Sequence, residues 1–288
     1  GFDSIPSDLG VKFLQDHALR QFGSYCDAVK LRVKTLRGGA SGGTIASALN
    51  LYKEASTDPG IRKEMRDPYS LCPVEHTFAA RQHNVSVEFD EDFDSWAGPF
   101  IMASINTRVV LRSNALLDGH YHENFKYDEA MLTSVGKKGE KAAKRISTGT
   151  KVSMFMMAFS PMRWLATRLF LPSPGEGPTP EQQLKGCYDL RLLGRTPRGG
   201  SVSVKVSGDR DPGYGSTAKM LAQAGISLRR DVDKSEIGGG FWTPATVFND
   251  KLITRLIDHA GMDFELESLS QAATAIEEVV VDETVPSA

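Results

Sequence analysis

The sequence predicts an α+β domain, within the wider α/β class, built on a mixed, largely antiparallel sheet with flanking helices. Three observations carry that expectation. Residues 187–194 (CYDLRLLG) and 201–206 (SVSVKV) alternate apolar and polar side chains and are joined by RTPRGG, which reads as a β-hairpin. Residues 28–36 (AVKLRVKTL) alternate in the same way. Segments of helical period lie between these strands instead of in one block, and no internal repeat is visible.

The elements follow in order. The opening GFDSIPSDLG reads as a loop leaving a sheet edge and entering a helix at once. Ser7 is placed to cap that helix, Asp8 suits its positive end, and Gly23 stands where a helix stops. Leu9, Phe13, Leu14 and Leu19 line its apolar face. In the strand over 28–36, Val29, Leu31 and Val33 face the core, while Lys30, Arg32 and Lys34 face water. RGGASGGT then opens a helix from about Thr44 to Glu54, with Ile45, Ala48, Leu49 and Tyr52 on one side.

VSVEF (85–89) reads as a short strand and DEDFD (90–94) as an acidic surface turn. Residues 98–117 suit a buried helix, HYHE (120–123) a solvated loop, and NFKYDEAM (124–131) another strand. GKKGEKAAKRISTG is a charged helix start or a loop. The apolar stretch 151–171 has two readings: a helix lying in a membrane interface or walling an acyl chain, and a buried or dimer-contact helix. Pro161, Arg163 and Arg168 interrupt it as a bilayer span.

A proline- and glycine-rich break, PSPGEGPTPEQQ, precedes the hairpin. GYGSTAKMLAQAGISLRR is a helix behind a glycine turn. One further helix is expected after GGGFW, with Thr243 as cap, Pro244 in its first turn, Phe248, Leu252 and Leu256 inward and Gly261 as stop. A weakly ordered tail follows over 267–288.

Composition narrows the function classes. With 34 Lys and Arg against 36 Asp and Glu, the net charge of −2 argues against a large nucleic-acid footprint. Cys26, Cys72 and Cys187 form no CxxC and read as reduced thiols of a cytoplasmic protein, with no metal site. No secretory signal is visible, and a start on Gly1 reads as a fragment or processed product. Four glycine-rich turns, GFDSIPSDLG, GGASGGT, GDRDPGYGSTA and GGGFWTPA, lie at or near helix starts, where backbone can approach a ligand closely. None is a GxGxxG after a strand, so no dinucleotide fingerprint is present.

The segments GFDSIPSDLGV, GGASGGTIASALNL, PFIMASINTRVVLRSNALL, PGEGPTPEQ, GDRDPGYGSTAKMLAQA and GGGFWTPATVFNDKLITRL together resemble the saccharopine dehydrogenase-like oxidoreductases. The likeness is strongest to their trans-acting enoyl reductase branch and runs over most of the chain in the same order. GFDSIPSD also resembles the Gly-Leu-Asp-Pro-Gly loop of saccharopine reductases, and Gly38-Gly39 their Gly-Gly-Leu-Pro turn.

That resemblance implies an N-terminal Rossmann domain that this sequence lacks. Residues 1–22 would be the hinge leaving it, 23–240 a substrate and oligomerisation domain, and 241–266 a helix and strand returning toward it. It implies an NADP-dependent oxidoreductase acting as a homo-oligomer on a small-molecule or lipid substrate. Hydride would pass to a C=C or C=N bond of a lipid-like or amino-acid-like acceptor, and this stretch alone would be inactive. Phe2, Asp3 and Ser4 would lie beside the nicotinamide; Ser41, Gly42, Gly43 and Thr44 beside the substrate; Asn106 and Arg112 would recognise its polar part. No proton donor is indicated. The rival reading is a non-catalytic scaffold on membranes or lipid droplets, held through 151–171.

Overall fold

A computed structural model describes residues 1–39, 42–159, 161, 164 and 177–271. Its centre is a seven-stranded sheet in the order β2-β3-β4-β1-β5-β6-β7. The strands are β1 (Ala28–Arg37), β2 (Glu88–Asp90), β3 (Ser95–Pro99), β4 (Lys126–Leu132), β5 (Cys187–Arg195), β6 (Ser201–Gly208) and β7 (Met262–Ser270). Only β1 and β4 pair in parallel, Val29 opposite Tyr127 and Leu31 opposite Glu129; every other neighbour is antiparallel. The mixed, largely antiparallel sheet with flanking helices is therefore the observed fold. The β5–β6 hairpin keeps full register from Tyr188 opposite Gly208 to Arg195 opposite Ser201.

Helix α1 (Ile5–Phe22) lies across β5 and β6. It starts two residues before the expected cap. Ser4 takes the cap position without a side-chain bond, Pro6 fills the first turn, and Ser7 and Asp8 are buried inside the helix. Gly23 closes it in the left-handed conformation at φ 64, as expected of a residue without Cβ. Leu9 and Leu14 enter the core, but Leu19 is 40% exposed and lies outside the apolar face assigned to it. A Cβ on Gly10 would stand 3.1 Å from Val206 and 3.3 Å from Leu192, so glycine here lets α1 settle onto the sheet.

Helices α2 (Gly42–Thr57), α3 (Pro59–Glu64) and α4 (Ala103–Leu116) fill the crossover between β1 and β4. The α4 helix packs on both β4 and α1, with Asn106, Val110, Leu111, Ser113 and Asn114 buried. Helix α5 (Gly136–Ala158) resolves the charged segment as helix and packs on β3. It carries the chain into the apolar stretch, where Val152, Met154 and Phe155 are exposed and Phe155 stacks on Phe159. Arg163 and Arg168 lie outside the described residues; among the described residues no helix is long and apolar enough to cross a membrane.

After α6 (Pro180–Lys185), α7 (Gly215–Arg230) and α8 (Lys234–Ile237), the single helix expected near the C-terminal end divides in two. Pro244–Val247 form α9 and Asp250–Ala260 form α10, broken at Asn249, whose φ is 53. Asparagine tolerates that conformation because its short polar side chain can bond locally. Thr243 and Thr246 form the reciprocal cap, Leu252 and Leu256 point inward, and Gly261 stops α10 at φ 66. Strand β7 then runs on to Ser270, opposite Ser201, so residues 267–270 belong to the sheet edge and not to a tail; 272–288 lie outside the described residues.

The DEDFD turn lies at the surface as expected, with Glu91, Asp92 and Asp94 exposed, but its Asp90 is buried. One expectation fails: Arg32 was placed on the wet side of β1. Instead Arg32 is fully buried: its Nε donates to Asp90 Oδ2 at 2.6 Å, its Nη1 to Asp128, and its guanidinium lies 5.9 Å from the Phe93 ring. The turn folds back over the strand because a buried guanidinium needs carboxylates to compensate for lost hydration.

Candidate active site

Three of the four glycine-rich turns meet at one end of the sheet. The Phe2 N–H donates to Thr217 Oγ1 at 2.9 Å, and that hydroxyl donates to Pro212 O at 2.7 Å, tying GFDS to the turn before α7. Asp211, buried, accepts the N–H groups of Tyr214 at 3.0 Å and Gly215 at 2.7 Å and so shapes the same turn. A Cβ on Gly38 would lie 2.8 Å from Pro212 Cδ, which places the start of GGASGGT against it. The fourth turn reaches the neighbouring helices. Phe241 O accepts from Arg112 Nη2 at 2.6 Å, and Thr243 Oγ1 lies 2.6 Å from Ser113 Oγ.

Beneath the GFDS turn sits a buried carboxyl group. Glu129, on β4, accepts from Tyr127 OH at 2.6 Å and Asn106 Nδ2 at 2.9 Å, and Ser7 also bonds to it. Burial raises the Glu129 pKa, the three bonds oppose that, and the negative charge of Asp3 adds to the rise. Asp3 itself is exposed at the turn, with its pKa raised by desolvation. Two buried polar atoms around this network have no partner: Ser4 Oγ and Asn106 Oδ1. Ser4 precedes Ser7 by three residues at the start of α1, so the two serines share a helix face. Buried polar atoms are nearly always bonded, and open ones mark positions where a ligand or water completes the set.

The structure sorts the remaining predicted residues. Phe2 is buried with its ring edge-on to Tyr188 at 4.9 Å, so its side chain anchors the turn in the core. Arg112 is pinned to the Leu71 and Phe241 carbonyls. Gly42, Gly43 and Thr44 form the first turn of α2, which packs on α3 and α5, and Ser41 lies outside the described residues. Asn106 bonds Glu129, the charge of Asp3 raises the Glu129 pKa, and Ser4 takes the cap position of the helix whose Ser7 bonds the same carboxyl. Sequence reasoning missed Tyr127 and Glu129. Their signal was a carboxylate on the alternating face of β4 that also carries Phe125 and Tyr127.

A second buried carboxyl joins three helices. Asp8 Oδ1 accepts from Ser113 Oγ, and Asp8 Oδ2 accepts the Ala245 N–H at 2.7 Å, linking α1, α4 and α9. Burial pushes its pKa from 3.8 up to about 7, against the pull of those two bonds. The folded state therefore keeps a proton that the unfolded chain has released. Asp8 contributes stability that is full below pH 3.8 and is lost as pH rises through about 7. The difference is on the order of 4 kcal/mol. Urea unfolding at about pH 5 and about pH 8 should show that slope, and Asp8→Asn should flatten it. An unchanged slope in the variant would assign the pH dependence elsewhere.

Comparison with known proteins now bears on this geometry. The chain is 36% identical over 285 residues to a Mycobacterium tuberculosis protein provisionally named a trans-acting enoyl reductase, covering 94% of this chain and 66% of that one. It is 32% identical over 274 residues to the trans-acting enoyl reductase of Mycobacterium bovis BCG, covering 89% and 63%. Against that of Mycobacterium ulcerans it is 31% identical over 268 residues. The chain thus spans just under two thirds of the length of these relatives. No family model and no solved structure matches it. The similarity supports the enoyl reductase branch among the expected relationships.

Proposed function

We propose that this chain is the substrate-side part of an NADP-dependent, saccharopine dehydrogenase-like oxidoreductase that reduces the C=C bond of an enoyl, lipid-like substrate. The observation that carries the reading is two open buried atoms, Asn106 Oδ1 on the residue that bonds Glu129, and Ser4 Oγ at the start of the helix whose Ser7 bonds the same carboxyl. A serine hydroxyl donates and accepts, and an amide oxygen accepts. Together they fit a carboxamide, which carries both N–H donors and a C=O. Asp3 and Ser4 would hold that group of NADPH, and the cofactor, when bound, supplies the hydride.

The chain's own residues orient and set charge. The positive end of α1, 18 residues long, begins beside the turn and favours negative charge developing on an acyl oxygen. Tyr127 and Glu129 share a hydrogen bond behind Asn106 and hold a proton away from solvent. Gly42–Thr44 would border the acyl chain, because α2 packs on α5, whose end exposes Val152, Met154 and Phe155.

The same exposed side chains support the second reading, a scaffold on membranes or lipid droplets. One experiment separates the two. NADPH fluorescence should shift on titration with the full-length protein, and Asp3→Ala with Ser4→Val should weaken binding at least about tenfold, roughly one lost charged or buried hydrogen bond. A folded full-length protein that ignores NADPH but floats with liposomes would overturn the reductase reading in favour of the scaffold.

A further inference from the structure

A further cavity lies along α4, lined by Ala103, Ser104, Thr107 and Arg108 of that helix. It encloses about 670 Å³ between α4 and the segment from Met65 to Asn84, a volume that suits a small organic ligand. Three arginines line it, Arg66, Arg81 and Arg108, with Asn84, Ser104 and Thr107 beside them, and no Asp or Glu does. Arg108 is already committed: its Nε donates to Ser70 Oγ at 3.2 Å and its Nη2 to Met65 O at 2.6 Å, and it holds the wall in place. The guanidiniums of Arg66 and Arg81 have neither a hydrogen bond nor an ion pair among the described residues. The nearest acid in sequence, Asp67, accepts the Tyr69 N–H at 2.8 Å.

The opposite wall is equally built. Tyr69 OH donates to Ala80 O at 2.8 Å, Gln82 Nε2 donates to Tyr69 OH at 2.7 Å, and Gln82 Oε1 accepts the Tyr127 N–H at 2.9 Å. Two exposed guanidiniums lining this space, with the side chains of Asn84, Ser104 and Thr107 beside them, offer more N–H and O–H groups than the two oxygens of a carboxylate can use. A phosphoryl group, with three acceptor oxygens and greater charge, matches them. We propose that this cavity binds a phosphate ester of a small molecule, with Arg66 and Arg81 gripping the phosphoryl oxygens. Gln82 in the cavity wall bonds the Tyr127 backbone next to the Glu129 network, but the proposal does not depend on the reductase reading.

Calorimetric titration of the full-length Asp3→Ala/Ser4→Val protein, in which the proposed cofactor contact is weakened, tests it with inorganic pyrophosphate and ADP as probes. Saturable, salt-sensitive binding is expected, tighter for ADP, and at least about tenfold weaker in Arg66→Ala/Arg81→Ala. The exposed pair Lys137→Ala/Lys138→Ala removes the same charge elsewhere and should leave affinity unchanged. Absence of saturable binding, affinity untouched by the arginine pair, or equal weakening by the lysine pair would each overturn the site. ADP binding no tighter than pyrophosphate would overturn the ester and assign inorganic phosphate in its place.

Discussion

Arg32→Ala is expected to cost about 3–5 kcal/mol, the range for breaking a buried ion pair from one side. The guanidinium is fully buried between Asp90 and Asp128, and Asp90 is only 3% exposed. Its removal leaves Asp90 with Lys30 at 3.3 Å as its remaining cation. It also detaches the turn over β1 that carries Phe93. Replacing the whole triad by apolar residues of similar volume should recover most of the loss, because the desolvation of all three charges disappears together. Denaturant unfolding reads both variants. A loss below about 1 kcal/mol for Arg32→Ala would show that water reaches Asp90 and that the burial argument is wrong.

Glu129→Gln is expected to have the largest effect on turnover without unfolding the chain. The carboxylate takes donors from both sides, Tyr127 OH and Asn106 Nδ2, so an amide must turn its NH₂ toward one of them. One buried donor then loses its acceptor, at about 1–3 kcal/mol. Asn106 is released from the orientation that presents Oδ1. In the full-length reductase, kcat should fall roughly ten- to a hundredfold, since about 1.4 kcal/mol is a factor of ten. The KM for NADPH should rise as well, because Glu129 holds Asn106 Oδ1 in the orientation that meets the carboxamide. A purely structural role would lower stability and leave the pH profile of kcat in place; a positioning role moves that profile, because the group that titrates beside Asn106 is gone.

Much of the scaffold was legible because its periods are strong. The alternation of β1, β5 and β6 and the helical spacing of α4 gave the right elements, since burial on one face is what the pattern records. The break at Asn249 was hidden: Phe248, Leu252 and Leu256 keep helical spacing across it, and only the backbone shows the change at φ 53. The last part of β7 left no mark either, because beyond Phe264 this edge strand is exposed on both faces and is held by its pairing with β6. Arg32 and Asp90 were misread because charge alone suggests water; their pairing spans 58 residues and exists only in three dimensions.

The candidate site divides in the same way. Asp3, Ser4 and Asn106 were named through the family resemblance of their segments and not through a local pattern. What joins them is Glu129, contributed by the strand that pairs in parallel with β1. No local pattern connects a strand glutamate to an asparagine 23 residues earlier on α4.

The most direct test of the account is reduction of an α,β-unsaturated acyl thioester by the full-length protein, followed by NADPH absorbance, for wild type and Ser4→Val. Valine keeps the volume of serine's neighbourhood filled but removes the open hydroxyl, so the account predicts wild-type NADPH consumption with stoichiometric saturated product and at least about tenfold slower turnover in the variant. Equal turnover by the two proteins, or no NADPH consumption by a folded wild type, would contradict a reductase site at the Gly1–Ser4 turn.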